Sequence, residues 1–155
     1  MQPSMNDLQK QSEARHELGA TLAEIPGGRD LVEWFEGEPD FGDAEVVSLC
    51  LYRDGPSLLR IEIEHRGKYA HVVFELTAWV DASLNGFSHQ NVISGLQLRR
   101  ADNRDVQVWE QGVGCQPGKW LIELEPCFGA YGTIRADIAR IVLESAGDQA
   151  CSNEI

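Results

Sequence analysis

The sequence lacks the features that would mark a membrane or secreted protein. No stretch approaches the roughly 18 apolar residues of a membrane-spanning helix, and residues 1–19 contain no apolar signal-peptide core. The four cysteines, at positions 50, 115, 127 and 151, form no CxxC motif. We therefore expect a cytoplasmic protein whose thiols are free rather than bridged.

Basic residues are scarce, with 13 Lys and Arg against 25 Asp and Glu and a net charge of −12. The imbalance is largest in residues 1–45, which carry 11 acidic and three basic residues. Such a surface repels nucleic acid and anionic membranes and attracts basic partners. The charge argues against nucleic acid and membranes as partners and favours a basic protein. The competing explanation is that the acidity serves only solubility.

Catalytic and cofactor motifs are also missing. No GxSxG nucleophile elbow occurs. The stretch from Gly112 does not fit a phosphate-binding loop, because five residues separate it from Gly118 and Trp120 stands where Ser or Thr is required. The histidines form neither HxH nor HExxH. We therefore predict no catalytic residue, no metal site and no cofactor.

Two helices are predicted near the N-terminus. A polar arm, residues 1–24, can form a helix over 5–24, and the proline and glycines that follow break it. The apolar residues of 29–36 share one face of a second helix. Gly37 ends this helix, because glycine is favoured just past a helix terminus. At the other end of the chain, residues 145–155 are small and polar and predict a flexible tail.

From residue 44 onward the apolar period changes to two residues, which is typical of β-strands. Leu59, Ile61 and Ile63 alternate with charged residues, and 70–76 alternates in the same way. One polar face favours antiparallel pairing. About eight such segments, spaced about ten residues apart, predict an antiparallel β-sandwich or partly open barrel over residues 25–144, with one or two short N-terminal helices.

Three details of the strand pattern are less regular. Residues 77–84 predict another short strand or a segment that crosses between sheets. Residues 106–110 predict a further strand after a turn. In the last strand the inward-facing set changes phase between Ile138 and Ile141, which predicts a bulge or bend.

Residues 30–45 form an acidic entrance to the β-domain, with seven acids in sixteen residues, no basic residue, and aromatic residues among the acids. The loop 88–91 is rich in side chains that both donate and accept hydrogen bonds. In a protein interface, aromatic residues would anchor and acids would steer. The candidate binding residues are Trp34, Glu36, Glu38, Asp40, Phe41, Asp43, Glu45, His89, Gln90 and Asn91.

Each of these candidates has a structural explanation as well. Trp34 and Phe41 can be core residues that staple the helix onto the sheet. The amides of the loop can bond to neighbouring backbone. Asp43 and Glu45 project from one strand face and could serve a hydrolase across a cleft, but similar acid pairs recur on other strands and indicate solvated faces. A small-ligand β-sandwich, binding carbohydrate or lipid, therefore stays as the alternative function.

Three segments together resemble a known bacterial family. They are EWFEGEPDFGDAEVVSL, GFSHQNVISGL and WLIELEPCFGAYGTIRADI, in this order, within residues 25–144. The pattern resembles the immunity protein 50 family, small proteins encoded beside secreted polymorphic toxins. The family pattern has a histidine before Asp-Ala-Glu, where this chain has Gly42.

The resemblance implies a non-enzymatic cytoplasmic antitoxin that binds a cognate toxin domain and blocks it. The family supplies no catalytic residues to transfer, and contact residues differ between cognate pairs. A basic toxin, such as a nuclease, would suit the acidic surface. Association of the chain with itself through an exposed strand edge also remains open.

Overall fold

The alternating apolar residues build a sheet that wraps around one core. The structure is a computed structural model that describes residues 2–102 and 118–145. Within these ranges it contains α1 (Met5–Ala23) and α2 (Gly28–Trp34), close to their predicted positions. Six strands follow: β1 (Glu45–Cys50), β2 (Ser57–His65), β3 (Lys68–Asn85), β4 (Val92–Arg100), β5 (Trp120–Phe128) and β6 (Tyr131–Ser145).

The strands form one antiparallel sheet in the order β1, β2, β3, β6, β5, β4. Adjacent strands pair over many residues, but β1 and β4 are joined by the single residue pair Glu45 and Val92. The sheet is therefore a partly closed ring rather than a regular barrel. The prediction of a mainly β, antiparallel, partly open architecture is confirmed.

Aliphatic and aromatic side chains fill the inside of the ring. Leu59, Ile61 and Ile63 of β2 are buried there, together with Phe74 of β3 and Ile122 of β5. Full burial of a side chain of this size contributes roughly 1.5–3 kcal/mol relative to exposure. The alternation that predicts the strands is therefore also the main source of their stability.

The two helices pack against this core. Leu22 of α1, Leu31 of α2 and Phe35 just after α2 belong to the same buried cluster. The loop before α2 is fixed to β6, because the amide of Ile141 donates a hydrogen bond to the carbonyl of Pro26 at 2.8 Å. The helix α2, with which the acidic entrance begins, therefore has a fixed position on the sheet.

The irregular parts of the pattern have clear structural counterparts. Residues 77–84 are the second half of the long strand β3 rather than a separate strand. In β6, the pairing passes from Glu75–Arg140 to Leu76–Ile138 and leaves one residue unpaired, so the predicted bulge is confirmed. The predicted strand at 106–110 and nearly all of the predicted tail lie outside the described residues.

The cysteines differ from the expectation of free thiols. Cys50, at the end of β1, is disulfide-bonded, whereas Cys127 of β5 is free and exposed. Cys115 and Cys151 lie outside the described residues. The prediction is wrong for Cys50 because it rested on motif spacing and compartment, whereas a disulfide depends on how closely the folded backbone brings two side chains together.

Candidate functional site

The predicted binding residues fall into two settings. The first is the exit segment, residues 34–41, where the chain leaves α2. The second lies where β1 meets β4 and closes the ring. The exit segment holds Trp34, Glu36, Glu38, Asp40 and Phe41, and the closing region holds Asp43, Glu45, His89, Gln90 and Asn91.

The aromatic residues of the exit segment belong to the protein's own packing. Phe41 is 2% exposed, and its ring lies 5.6 Å from that of Phe35. Trp34 is half-buried and meets Phe35 edge-to-face at 5.0 Å. The ammonium group of Lys68 lies over the indole of Trp34, 5.3 Å from its centroid. These aromatic residues therefore staple the exit segment to the core and to the β2–β3 hairpin.

The acids of the exit segment contact basic side chains from distant parts of the chain. Glu36 contacts Nε2 of His65 at 3.1 Å and a guanidinium nitrogen of Arg66 at 2.7 Å. The hydrogen bond from His65, with the charge of Arg66, lowers the pKa of Glu36. Similar contacts join Glu38 to His16 at 3.9 Å and Asp40 to Arg15 at 3.6 Å.

The loop 86–91 and the turn 128–131 lie against each other, and we call them the loop platform. The buried side chain of Asn91 connects them, because its Oδ1 accepts from the amides of Ser88 at 2.8 Å and Ala130 at 3.0 Å. Its amide group donates to the carbonyl of Ser88 at 2.8 Å. Its own carbonyl accepts from the amide of Val46 at 2.8 Å. Asn91 is therefore a structural residue that fixes the platform to β1.

Backbone contact is also close within the platform. Gly129 has a φ of 90°, and a Cβ at this position would lie 2.2 Å from the carbonyl oxygen of Gln90. A side chain is therefore excluded on both conformational and steric grounds. Asn91 and Gly129 together hold the loop and the turn in one arrangement. The side chains of His89 and Gln90 project from this frame and are exposed.

Three aromatic side chains of the platform point into solvent. Phe87 is 55% exposed, Phe128 56% and Tyr131 42%. Sequence reasoning does not single them out, because the strand alternation is interrupted at this point. The only signal is an aromatic residue next to a glycine, which occurs at Phe87, Phe128 and Tyr131. Exposed aromatic residues on a fixed backbone are typical of protein-binding surfaces.

Carboxylates adjoin the platform without a cationic partner in the described part of the chain. Glu45 lies opposite Val92, which lies opposite Phe128, so these three residues form one row across three strands. Strand spacing puts Glu45 and Phe128 about 10 Å apart. Asp43 is held nearby, because its amide donates to the carbonyl of Ile93 at 3.0 Å. Asp43 and Glu45, with Glu125 of β5, are the closing acids.

Three cavities occur among the described residues. A groove of about 800 Å³ runs between α1 and β4, with Leu18, Leu96 and Trp120 in its walls. The others, of about 320 and 410 Å³, lie beside the start of α2 and beside the exit segment. Neither Asp43 nor Glu45 lines any of them. The described residues contain no group of three or more His, Cys, Asp or Glu side chains that could hold a metal ion.

No family model, curated protein or solved structure matches this chain. No helix in the described ranges is long and apolar enough to cross a membrane.

Proposed function

We propose that this chain is a non-enzymatic immunity protein that binds and neutralises a cognate bacterial toxin domain with a basic surface. The observation that carries the proposal is the charge at the closing region. The chain contains no Lys or Arg in residues 30–52, 69–98 and 120–134, and these stretches supply the closing acids and the loop platform. The described stretches that build this region thus carry carboxylates and aromatic rings but no Lys or Arg.

Electrostatics explain how such a surface would act. A negative surface steers a basic partner towards it and raises the association rate most at low ionic strength. Aromatic anchors then slow dissociation, because a few well-packed residues supply most of the binding energy in an interface. A protein bound in this way neutralises a toxin by covering its active surface and needs no chemical step of its own.

A nuclease is the toxin class that this charge fits best. An enzyme that acts on nucleic acid carries Lys and Arg to meet the phosphate backbone. An acidic protein surface competes for the same cations. The sequence resemblance implies a cognate toxin domain as the partner, and the nuclease class follows from the charge alone.

The cytoplasm of the toxin-producing cell is the proposed site of action, as the sequence indicates. The disulfide at Cys50 argues against the cytoplasm, because disulfides persist mainly in oxidising compartments. Fractionation of cells that express the native gene decides the location. Recovery with cytoplasmic markers is the expected result, and recovery with periplasmic markers would move the encounter with the toxin to that compartment.

Co-expression tests the function directly. The reading frame immediately upstream of this chain's gene is induced in a laboratory bacterium, and surviving colonies are counted with and without this protein. We expect the neighbour to kill only in its absence. A harmless neighbour, or equal killing in both strains, would contradict the proposal.

A second candidate function, binding of a carbohydrate or lipid, is supported by the groove between α1 and β4. Its volume of about 800 Å³ is within the range of small-molecule sites. The hydrolase version, with Asp43 and Glu45 as the acid pair, gains no support because neither residue lines the groove. Titration with sugars and fatty acids, monitored by the fluorescence of Trp120 against a Trp120→Phe variant, tests ligand binding.

A further inference from the structure

We infer that the loop platform is the anchor of the toxin interface and that its aromatic rings receive Arg or Lys side chains of the basic partner. This inference rests on the proposed function and specifies its surface. The anchoring residues are Phe87, Phe128 and Tyr131, which the sequence pattern alone does not predict. The closing acids form the charged border on the side of β1 and β5.

The first argument is that the platform is already ordered. The oxygen of Asn91 holds the loop and the turn together, and Gly129 allows their backbones to approach closely. Phe87 adjoins the bonded residue Ser88, and Phe128 and Tyr131 flank the turn. Aromatic side chains on a fixed backbone lose little conformational freedom on binding. Such rings suit an interface anchor better than rings on an unrestrained loop.

The second argument comes from how this chain uses its other aromatic rings. The ammonium group of Lys68 lies 5.3 Å from the centroid of the Trp34 ring. The guanidinium of Arg100 lies 4.5 Å from the centroid of the Trp120 ring. In the described residues, no Lys or Arg of the chain lies over a platform ring in this way. Ring faces attract cations through their quadrupole. The platform rings can therefore make with a partner's Lys or Arg the cation–π contact that Trp34 and Trp120 make within the chain.

The third argument is charge complementarity around the rings. The closing acids have no cationic partner among the described residues, whereas two acids of the exit segment pair with Arg15 and Arg66. Glu45 shares a row with Phe128. A partner side chain that stacks on a platform ring therefore brings its cation within reach of a carboxylate. Arg fits best, because its planar guanidinium stacks on rings and pairs with carboxylates.

Affinity measurements on full-length variants test the inference, with the toxin domain identified by the co-expression assay as the probe. Phe87→Ala and Phe128→Ala should each weaken binding at least about tenfold. The matched control is Tyr69→Ala. Tyr69 is also an exposed aromatic residue, at 59%, but it lies at the end of β3 that is far from the loop platform. We expect this control to bind as the unchanged protein does.

A conservative variant separates the cation from simple apolar contact. Phe128→Leu keeps apolar area but removes the ring face, and we expect it to weaken binding about threefold or more. Affinity equal to that of the unchanged protein would overturn the assignment of a cation at this ring. Thermal unfolding of every variant must match the unchanged protein, as expected for exposed side chains.

The outcomes distinguish this inference from the proposed function. If the unchanged protein binds the toxin and both alanine variants bind equally well, the platform is not the anchor, but the immunity function stands. If the unchanged protein does not bind at all, the proposed function fails and the inference fails with it. If Tyr69→Ala weakens binding as much as Phe128→Ala, the effect is not specific to the platform and the inference is wrong.

Discussion

The exit segment and the loop platform with its closing acids both combine aromatic and acidic residues, but they differ in what surrounds these side chains. In the exit segment, Phe41 is buried and Glu36 is held by His65 and Arg66. At the platform, Phe128 is exposed and the neighbouring Glu45 has no cationic partner among the described residues. The side chains of the exit segment therefore stabilise the fold, whereas those of the platform are exposed and can contact a partner.

This difference shows that local sequence composition does not decide which acidic residues are left without an ion pair inside the protein. The cations that pair with the exit segment come from α1 and from the β2–β3 hairpin, far along the chain. Only the folded structure brings them together. The richer acidic segment in the sequence is thus the less available one in the structure.

The largest expected difference in stability is between loss of a buried ring of the exit segment and loss of an exposed ring of the platform. Phe41→Ala removes a buried ring and should lower the free energy of unfolding by about 3–5 kcal/mol. Phe128→Ala removes an exposed ring and should change it by no more than about 0.5 kcal/mol. Denaturant unfolding of the two variants measures the contrast. Equal losses would show that the rings do not differ in burial as described.

The frame of the platform should show an intermediate effect. Asn91→Ala leaves the amides of Ser88 and Ala130 without their acceptor, which should cost about 1–3 kcal/mol in the free energy of unfolding. The neighbouring Gln90→Ala changes an exposed side chain and serves as the matched control. A loss for Gln90→Ala as large as that for Asn91→Ala would contradict the assignment of Asn91 as the structural residue.

The smallest effect concerns the ion pairs of the exit segment and depends on pH. The contacts with His65 and Arg66 lower the pKa of Glu36 below its ordinary value of 4.5. A carboxylate with a lowered folded-state pKa stabilises the protein above its unfolded-state pKa, and this contribution disappears as the pH falls through the folded-state value. Glu36→Gln should therefore lower the unfolding temperature slightly at pH 7 and by less at pH 3.

Glu33→Gln is the control for this pH experiment. Glu33 is an exposed acid of α2 without an ion pair in the described residues. Its substitution should leave the unfolding temperature nearly unchanged at both pH values. A Glu36→Gln effect that persists unchanged at pH 3 would show that the ion pairs are not its source.

The sequence predicts the architecture well because alternation is a local property. Leu59, Ile61 and Ile63 predict both the strand and its inner face, and the phase change before Ile141 predicts the bulge. The length of β3 is not predicted, because residues 77–84 continue the strand where the sequence pattern weakens. The single pair that closes the ring depends on long-range geometry.

The candidate site is predicted less well than the fold. The sequence finds Asp43, Glu45 and the polar loop, but it cannot show that the acids of the exit segment are paired. It also does not separate the structural Asn91 from its exposed neighbours, since all of them are polar. The sequence does not predict the exposed rings of the platform, because the exposure of a side chain in one loop depends on which turn packs beside that loop.

Amide hydrogen exchange of the full chain, alone and with the toxin domain, tests the central claim most directly. The account predicts that binding slows exchange in residues 86–91 and 128–131 and leaves residues 34–41 unchanged. Slower exchange confined to 34–41, with the platform unaffected, would contradict it.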